Sequence, residues 1–327
     1  MFDLITIGDA TLDTFLVLDE HDARCQIDKK EKLLCIHYAE KTFIDQAVQS
    51  VGGNASNIAV GATKLGLKTA MVTELGDDIN GHIIAYELEH SGVDPMFIKI
   101  CKGQMTRYSI ILNYETERTV LSSTVKRTYT FPKLKKTDWI YYTSMGKGFE
   151  NIQDKLIKHL TTHPDTRLAL NPGSYQLRHG IKKIRQILPH TDLLFINKEE
   201  GQELVGKPVE KTELFHLLHK KGVKIVVMTD STNGSFVSDR EKEWYMPIYP
   251  VKTIAKTGAG DAYASGFLSA IHHGLSIPDA MCWGTANASG VIQEFGAQNG
   301  LLSLQKMKKR IKKYHNIVPS TSEKMVL

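Results

Sequence analysis

The segment Thr257-Gly258-Ala259-Gly260-Asp261 carries the residues of this chain that are best suited to chemistry. Its small residues leave backbone amides accessible, and the next seven residues have helical spacing with few breakers. A helix N-terminus behind such a loop binds anions through its N–H groups and the helix dipole. An anion site with a carboxylate beside it would suit phosphoryl transfer to a hydroxyl group, which needs charge stabilisation and a base. The alternative is a glycine turn in which Asp261 is a plain helix cap.

A second polar pair, Asn197 and Glu200, follows an apolar run and opens another helical pattern. The spacing is consistent with a simple helix cap, in which each side chain accepts a hydrogen bond from the other's backbone amide. The sequence has neither a Gly-x-x-x-x-Gly-Lys-Ser/Thr loop nor a Gly-x-Gly-x-x-Gly motif after its first strand. P-loop enzymes and dehydrogenases are therefore disfavoured.

Short apolar runs alternate with longer amphipathic stretches from residue 51 onward. Such alternation predicts a mostly parallel sheet that is covered by helices on both faces. Ligands bind such sheets at the carboxyl ends of the strands, so we expect the chemistry in the loops that follow them. The predicted strands are 69–73, 139–142, 168–170, 193–196 and 224–228, and the predicted helices are 55–65, 80–90, 152–160, 181–188 and 199–205.

Two segments interrupt the alternation with short β-like pieces such as Leu33 to Tyr38, Tyr108 to Leu112 and Arg118 to Leu121. These pieces predict either a small separate sheet beside the core or a pair of ordinary edge hairpins. A separate sheet would divide the chain into an α/β core of residues 1–13, 51–95 and 131–327 and a β lid of residues 14–50 and 96–130.

The composition is ordinary for a globular protein, with 42% hydrophobic and 24% charged residues. Much of the net charge of +5 lies in the segment from Lys306 to Lys313, which we interpret as a solvated helix face because no nucleic-acid-binding motif accompanies it. No apolar stretch reaches the roughly 20 residues that a membrane span requires. We expect a cytoplasmic protein without a nucleic-acid or membrane partner. The cysteines are scattered and form no metal-type pair.

Three motifs together carry a family resemblance. They are Gly258 to Ala262, the stretch from Gly52 to Ala59 with its continuation to Gly81, and Asn197 to Glu200. In content, order and separation they resemble the signatures of the ribokinase-like (PfkB-type) carbohydrate and nucleoside kinases over nearly the whole chain. The resemblance implies a Rossmann-like three-layer α/β/α core with a mostly parallel sheet, and a small β-sheet lid made by the two interrupting segments.

The resemblance also implies catalytic roles. Asp261 would take the proton from the acceptor hydroxyl, and the amides of Gly258, Ala259 and Gly260 would form an anion hole for the γ-phosphate of ATP. Asn197 and Glu200 would organise Mg²⁺ and the phosphates through water. Without the resemblance, the helix-cap interpretation of this pair would be preferred.

Acceptor contacts are implied in the first half of the chain. Asp13 matches a family carboxylate that holds acceptor hydroxyls, and Gly53 and Asn57 match sugar-binding positions. A carboxylate and an amide suit a polyol, because hydroxyls both donate and accept hydrogen bonds. Arg118 would reach the acceptor from the lid. The alternatives are a turn residue for Asp13 and a solvent-facing strand residue for Arg118.

Nucleotide contacts are implied in the second half. Thr229, Ser231 and Gly234 follow the strand 224–228, at a position where the family contacts the nucleotide. Asn287 occupies a family position near the adenine, although helix packing would also explain the small residues around it.

One position departs from the family pattern. Ala255 stands where the family usually carries an Asp, six residues before the catalytic Asp, and that Asp helps to bind a monovalent cation in ribokinase. Potassium activation is therefore doubtful for this chain. We hypothesise that the ammonium group of the adjoining Lys256 partly replaces the cation.

The sequence thus predicts an ATP-dependent sugar kinase that uses Mg²⁺. A nucleoside kinase of the same family is the nearest alternative, because Phe15, Tyr38, Phe43 and Tyr108 near the lid could stack on a base. A catalytically silent sugar-binding regulator is disfavoured, because Asp261 and the glycine loop are both present. Lid strands with exposed edges also predict a homodimer that pairs through the lid.

Overall fold

The structure, a computed structural model, describes residues 1–19, 25–28, 30–31, 33–114, 117–123 and 125–322. The strands are β1 (Phe2–Ile7), β2 (Thr11–Leu18), β3 (Cys25–Asp28), β4 (Leu33–Ile36), β5 (Ile44–Gly52), β6 (Thr69–Gly76), β7 (Ile98–Cys101), β8 (Tyr108–Tyr114), β9 (Glu117–Ser122), β10 (Thr137–Tyr142), β11 (Arg167–Leu170), β12 (Leu193–Asn197), β13 (Ile225–Thr229), β14 (Ser235–Ser238), β15 (Glu243–Met246) and β16 (Ser320–Ser322).

Helices connect most of the parallel strands. They are α1 (Asn54–Lys64), α2 (Ile79–His90), α3 (Phe149–Thr162), α4 (Ser174–Ile187), α5 (Lys198–Val205), α6 (Lys211–Lys220), α7 (Ala259–His272), α8 (Ile277–Val291) and α9 (Leu304–Lys313). In the part of the chain that the structure describes, none of them has the length and apolar character of a membrane-crossing helix.

The main sheet has the strand order β16-β15-β14-β13-β12-β11-β10-β1-β6-β7. Strands β13 to β7 in this order run parallel, and β14, β15 and β16 extend one edge in antiparallel pairing. Side chains that alternate along a strand pack into separate cores on the two faces, because successive residues of a strand point to opposite sides. Ile140 and Tyr142 join the core with α3 to α6, whereas Trp139 and Tyr141 join the core with α1, α7, α8 and α9.

A second sheet, which we call the lid, has the order β5-β2-β8-β9, and a separate two-stranded ribbon is formed by β3 and β4. The expected α/β fold with a small additional β-sheet is therefore present, and the β-like pieces are not edge hairpins of the main sheet. The lid differs from the expected boundaries at two points. Strand β2 already pairs with β5 at Thr11, which was expected in the core. Strand β7, expected in the lid, pairs with β6 of the main sheet because the short connection after α2 returns the chain to that edge.

The sequence-based strands and helices of the core agree with the structure to within a few residues at most ends. Helix α6 and the antiparallel strands β14, β15 and β16 were not predicted. Strands β14 and β15 are only four residues long and follow β13 through tight turns, so their pattern is too short to separate from loops.

Candidate active site

The N-terminus of α7 is built by a glycine in a left-handed conformation. Gly258 has φ of +80°, and a Cβ at this position would lie 2.5 Å from Cβ of Ala297. The geometry of a helix leaves the first-turn amides of α7 without an intrahelical acceptor. The amide of Ala259 makes a long hydrogen bond of 3.4 Å to the carbonyl oxygen of Lys256 in the preceding loop. At Gly260 a Cβ would meet no heavy atom within 4 Å, so the backbone faces open space. The arrangement suits the binding of an anionic group.

Asp261 lies in this first turn and is held from the side by Asn57 of α1. The amide Nδ2 of Asn57 donates to Oδ2 of Asp261 at 2.8 Å, and Nε2 of Gln298 donates to Oδ1 of Asn57 at 3.0 Å. Helix α1 can begin at this place because Gly53 takes φ of +91°, which favours glycine. A Cβ at this position would also lie only 2.5 Å from the carbonyl oxygen of Asp9. Of the predicted residues, Asn57 thus contacts Asp261, and Gly53 caps the N-terminus of the helix that carries Asn57.

The electrostatics of Asp261 suit a base. Burial raises its pKa to about 6, the hydrogen bond from Asn57 opposes this rise, and the charge of Asp13 adds to it. A carboxyl group with this pKa is ionised at neutral pH yet is a stronger proton acceptor than an exposed aspartate. Strongly shifted carboxyl groups in clefts are typical of catalytic sites.

Asp13 comes from lid strand β2 and is also buried. Its Oδ1 accepts a hydrogen bond from the hydroxyl of Thr11 at 2.8 Å. Burial raises its pKa, and hydrogen bonds from Thr11 and Ser109 oppose the rise. Because its charge acts on Asp261, the lid and the core each contribute a carboxylate to the same region. This residue is not merely part of a turn, since it lies within a strand.

Asn197 and Glu200 form the reciprocal helix cap of α5. Oε2 of Glu200 accepts from the backbone N–H of Asn197 at 2.9 Å, and Oδ1 of Asn197 accepts from that of Glu200 at 2.8 Å. The cap does not exclude a second role, because burial raises the pKa of Glu200 and the charge of Asp261 raises it further. The hydroxyl of Tyr141 is buried and has no hydrogen-bond partner among the described residues. Burial raises its pKa well above the ordinary value, and the charges of Asp261 and Glu200 add to this rise. Two neighbouring carboxyl groups fit a hydrated divalent cation.

A cavity of about 600 Å³ opens beside the N-terminus of α7. The predicted residues Thr229, Ser231 and Gly234 lie on its wall, together with Ala259 and Gly260. The lid also lines the cavity, through Val17, Asn113 and Arg118. The remaining lining includes Ala255, Lys256, Thr285, Ala288 and Ser289. Arg118 is thus on the cavity shared with residues 229–234, not beside Asp13.

Asn287 is fully buried and lies outside this lining. Its Nδ2 donates to the carbonyl oxygen of Ala262 at 2.9 Å and to Oγ of Ser265 at 3.1 Å, and its Oδ1 accepts from the amide of Leu302 at 2.9 Å. These contacts join α8 to α7 and to the segment that follows α8. They favour the helix-packing interpretation of Asn287 over a direct contact with a nucleotide.

Sequence reasoning missed a buried network at the two crossings between core and lid. Asp9, just before β2, pairs with Arg107, just before β8. The hydroxyl of Tyr129 donates to Oδ1 of Asp9 at 2.7 Å, and the amide of Gly146 donates to Oδ2 at 2.9 Å. Gln298, which orients Asn57, was also missed. Neither set has a local sequence signal, because Asp9 and Arg107 are 98 positions apart and Gln298 and Asn57 are 241 positions apart.

Known proteins share both the sequence and the fold. The family model described as pfkB family carbohydrate kinase matches residues 22–304. A fructoselysine 6-kinase of Shigella flexneri is 26% identical over 249 residues, which are 75% of this chain and 91% of that protein. A nucleoside kinase of Methanocaldococcus jannaschii is 23% identical over 320 residues, which are 88% and 98% of the two chains.

Solved structures agree with the fold over nearly the whole chain. The crystal structure of the Methanocaldococcus jannaschii nucleoside kinase, described as an archaeal member of the ribokinase family, has a TM-score of 0.77 at 22% identity and covers 95% of this chain and 98% of its own. Arabidopsis thaliana ribokinase complexed with ribose and ATP has a TM-score of 0.75 at 20% identity, with 95% and 99% covered. The chain therefore belongs to the pfkB family of carbohydrate kinases, enzymes that phosphorylate a hydroxyl group of a sugar or nucleoside.

Proposed function

We propose that the protein transfers the γ-phosphate of MgATP to a hydroxyl group of a sugar or sugar derivative. The observation that carries this proposal is the position of Asp261. It combines a pKa of about 6 with a place in the first turn of α7, beside the amides of Gly258 to Gly260. A base and an anion site within one helical turn satisfy the two needs of phosphoryl transfer to an alcohol.

On the acceptor side, Asp261 takes the proton from the attacking hydroxyl. Asn57 holds the carboxylate in one orientation through its 2.8 Å hydrogen bond. Asp13 accepts a hydrogen bond from a second acceptor hydroxyl, and Gly53 lets the substrate approach the backbone at the start of α1. Fixing the hydroxyl beside its base in this way lowers the entropic part of the barrier.

On the donor side, the 600 Å³ cavity is large enough for a nucleotide. Thr229, Ser231 and Gly234 contact the nucleotide, and Arg118 closes over it from the lid. The amides of Gly258, Ala259 and Gly260 form the anion hole, which stabilises charge on the migrating phosphoryl group. Closure of the lid over both substrates limits wasteful hydrolysis of ATP by water.

Mg²⁺, when bound, neutralises phosphate charge. Glu200 would hold it through water, with Asn197 fixing the carboxylate through the cap of α5. Burial raises the pKa of Glu200, and the charge of Asp261 raises it further. The effect of Asp261 supports this assignment, because a cation relieves the repulsion between two carboxylates.

The monovalent cation of ribokinase is not expected here, because Ala255 carries no carboxylate. Lys256 lines the nucleotide cavity next to Ala255, and we propose that its ammonium group partly replaces the cation. Unchanged activity of Lys256→Met at every potassium concentration would eliminate this idea.

A nucleoside is the second candidate for the acceptor. It is supported by the match to the Methanocaldococcus jannaschii nucleoside kinase over 320 residues. A 5-dehydro-2-deoxygluconokinase of Lacticaseibacillus casei matches over 335 residues, which keeps a sugar derivative as the first candidate. The substrate class is tested by a coupled ADP-release assay with MgATP against sugars, sugar phosphates, keto-sugar acids and nucleosides. Turnover on a sugar supports the first candidate, turnover only on nucleosides supports the second, and binding of a sugar without turnover would indicate a silent regulator.

We also propose that two copies pair through the lid. Apolar side chains on and beside its strands are exposed, among them Phe43, Ile44, Val120 and Leu121 at 46–55%. Exposed apolar patches of this kind mark protein interfaces. Light scattering would show a dimer that is weakened by Val120→Lys; a wild-type monomer would refute the pairing.

A further inference from the structure

A second concavity lies beside the C-terminal end of α8. Its volume is about 500 Å³, and its wall includes Gly290 at the end of α8, the loop residues 293–302 in part, and one face of α9. Four cations line it, namely Lys306, Lys309, Arg310 and Lys313, against a single carboxylate, Glu294. Among the described residues no carboxylate forms an ion pair with any of the four cations.

The helix itself does not explain this cluster. Cations in the last turn of a helix are stabilised by the helix dipole, which accounts for Arg310 and Lys313 in α9. Lys306 lies in the first turn of α9, where the dipole disfavours a positive charge. The position of Lys306 on the concavity therefore needs another reason.

The cluster also extends inward to a fifth cation. Burial lowers the pKa of Lys64, and the nearby charge of Lys306 lowers it further. Burial likewise lowers the pKa of Arg310, whose Nη1 donates to Oγ of Ser289 at 3.0 Å. Positive charges that repel one another around a concavity are relieved by a bound anion.

We propose that this concavity is an effector site for a small phosphorylated metabolite. Lysine and arginine side chains are the usual partners of phosphate groups. The concave shape and the volume of about 500 Å³ fit a small molecule better than the extended backbone of an RNA.

Two contact chains connect the concavity with the active site. Lys64 donates to the carbonyl oxygen of Gln298 at 3.2 Å, and Gln298 in turn orients Asn57 beside Asp261. On the other side, Arg310 binds Ser289, which lines the nucleotide cavity. A bound anion would draw Lys306 away from Lys64 and would fix the position of Arg310. Through Gln298 it would affect Asn57 beside Asp261, and through Ser289 it would affect the wall of the nucleotide cavity. We expect its binding to alter the KM for MgATP or the kcat.

The helix offers a matched pair of variants for the test. Lys309→Gln/Lys313→Gln removes two cations from the concavity, whereas Lys308→Gln/Lys312→Gln removes two exposed cations from the same helix at the same spacing, outside the lining. Both pairs change the net charge equally. All four positions are exposed and outside the catalytic machinery, so both variants should fold and keep the basal kinase rate.

The first measurement is calorimetric titration with inorganic pyrophosphate, without Mg²⁺ and at fixed ionic strength. The active-site anion hole contributes equally in all proteins. We expect a second binding component in the wild type and in Lys308→Gln/Lys312→Gln that is weakened about tenfold or more in Lys309→Gln/Lys313→Gln. Equal weakening in both variants, or no second component in the wild type, would overturn the proposal.

The second measurement is the kinase rate at saturating free Mg²⁺ with and without pyrophosphate. The wild type and Lys308→Gln/Lys312→Gln should share a change in KM or kcat that Lys309→Gln/Lys313→Gln lacks, and an identical response of all three proteins would overturn the effector role. A labelled RNA hairpin is the control ligand. If it binds more tightly than pyrophosphate, and if both variant pairs weaken its binding equally, the helix is a basic RNA-binding face and the small-molecule site is refuted.

Discussion

The side-chain amide of Asn57 donates to Oδ2 of Asp261 at 2.8 Å, joining two residues that lie 204 positions apart. The bond connects the start of α1 with the start of α7, and thus two of the three sequence motifs that carry the family resemblance. It favours the ionised form of a carboxylate whose pKa burial raises to about 6. Asn57 therefore both orients the proposed base and limits the rise of its pKa.

The first prediction concerns the pH dependence of turnover. A base must be deprotonated, so kcat/KM should fall as the pH drops through about 6 and should level off above it. Asn57→Leu removes the donor that stabilises the carboxylate, so the acid limb should move to higher pH as activity declines. Rate profiles from pH 5 to 9 measure this shift. An acid limb that stays in place would mean that Asn57 does not act on the base.

The second prediction concerns stability. Because the pKa of Asp261 in the folded protein is above its ordinary value of 3.8, the buried charge destabilises the folded state above pH 6 and not below pH 4. Asp261→Asn should therefore increase the free energy of unfolding at pH 8 by at most about 3 kcal/mol, with little gain at pH 4. Urea denaturation at both pH values measures the difference. A variant that is equally or more destabilised at pH 8 would contradict the burial argument.

The third prediction separates the two glycines of the proposed anion hole. Gly258→Ala should lower the melting temperature and activity together, because alanine is strained at φ of +80° and its Cβ would collide with Ala297. Gly260→Ala should leave the melting temperature unchanged or higher, because the new methyl group meets open space. That methyl group would occupy the proposed phosphate site, so turnover should fall by roughly a hundredfold. Full activity of Gly260→Ala would place the phosphate elsewhere.

The fourth prediction concerns Glu200. Glutamine still accepts the hydrogen bond from Asn197, so Glu200→Gln should keep the cap of α5 and the melting temperature. Loss of the charge should raise the Mg²⁺ concentration that gives half-maximal activity. Glu199→Gln is the control, because Glu199 is exposed in the same helical turn. An equal Mg²⁺ requirement in both variants would restrict Glu200 to the capping role.

The sequence was sufficient for the parts of the site that depend on local pattern. Gly258 to Asp261 combine a special backbone conformation with a helix start, and Asn197 and Glu200 form the cap that their spacing predicts. The alternation of strands and helices in the core is also a local signal, which is why the parallel sheet could be predicted.

Long-range partners could not be predicted in the same way. Nothing near Asp9 indicates that it pairs with Arg107, and nothing near Gln298 indicates that it orients Asn57. Asn287 was predicted at a ligand position from its sequence motif. Its side-chain amide instead donates hydrogen bonds from α8 to α7. Such contacts depend on how the chain packs in three dimensions, which short spacing patterns do not encode.

The central claim is that Asp261 activates the acceptor hydroxyl. The most direct test is the single-turnover rate of phosphoryl transfer to the acceptor identified by the ADP-release assay, in wild type and Asp261→Asn, with nucleotide affinity measured alongside. We predict that the variant binds the nucleotide normally and transfers the phosphoryl group on the order of 10²–10⁴ times more slowly. An undiminished transfer rate in Asp261→Asn would contradict the mechanism.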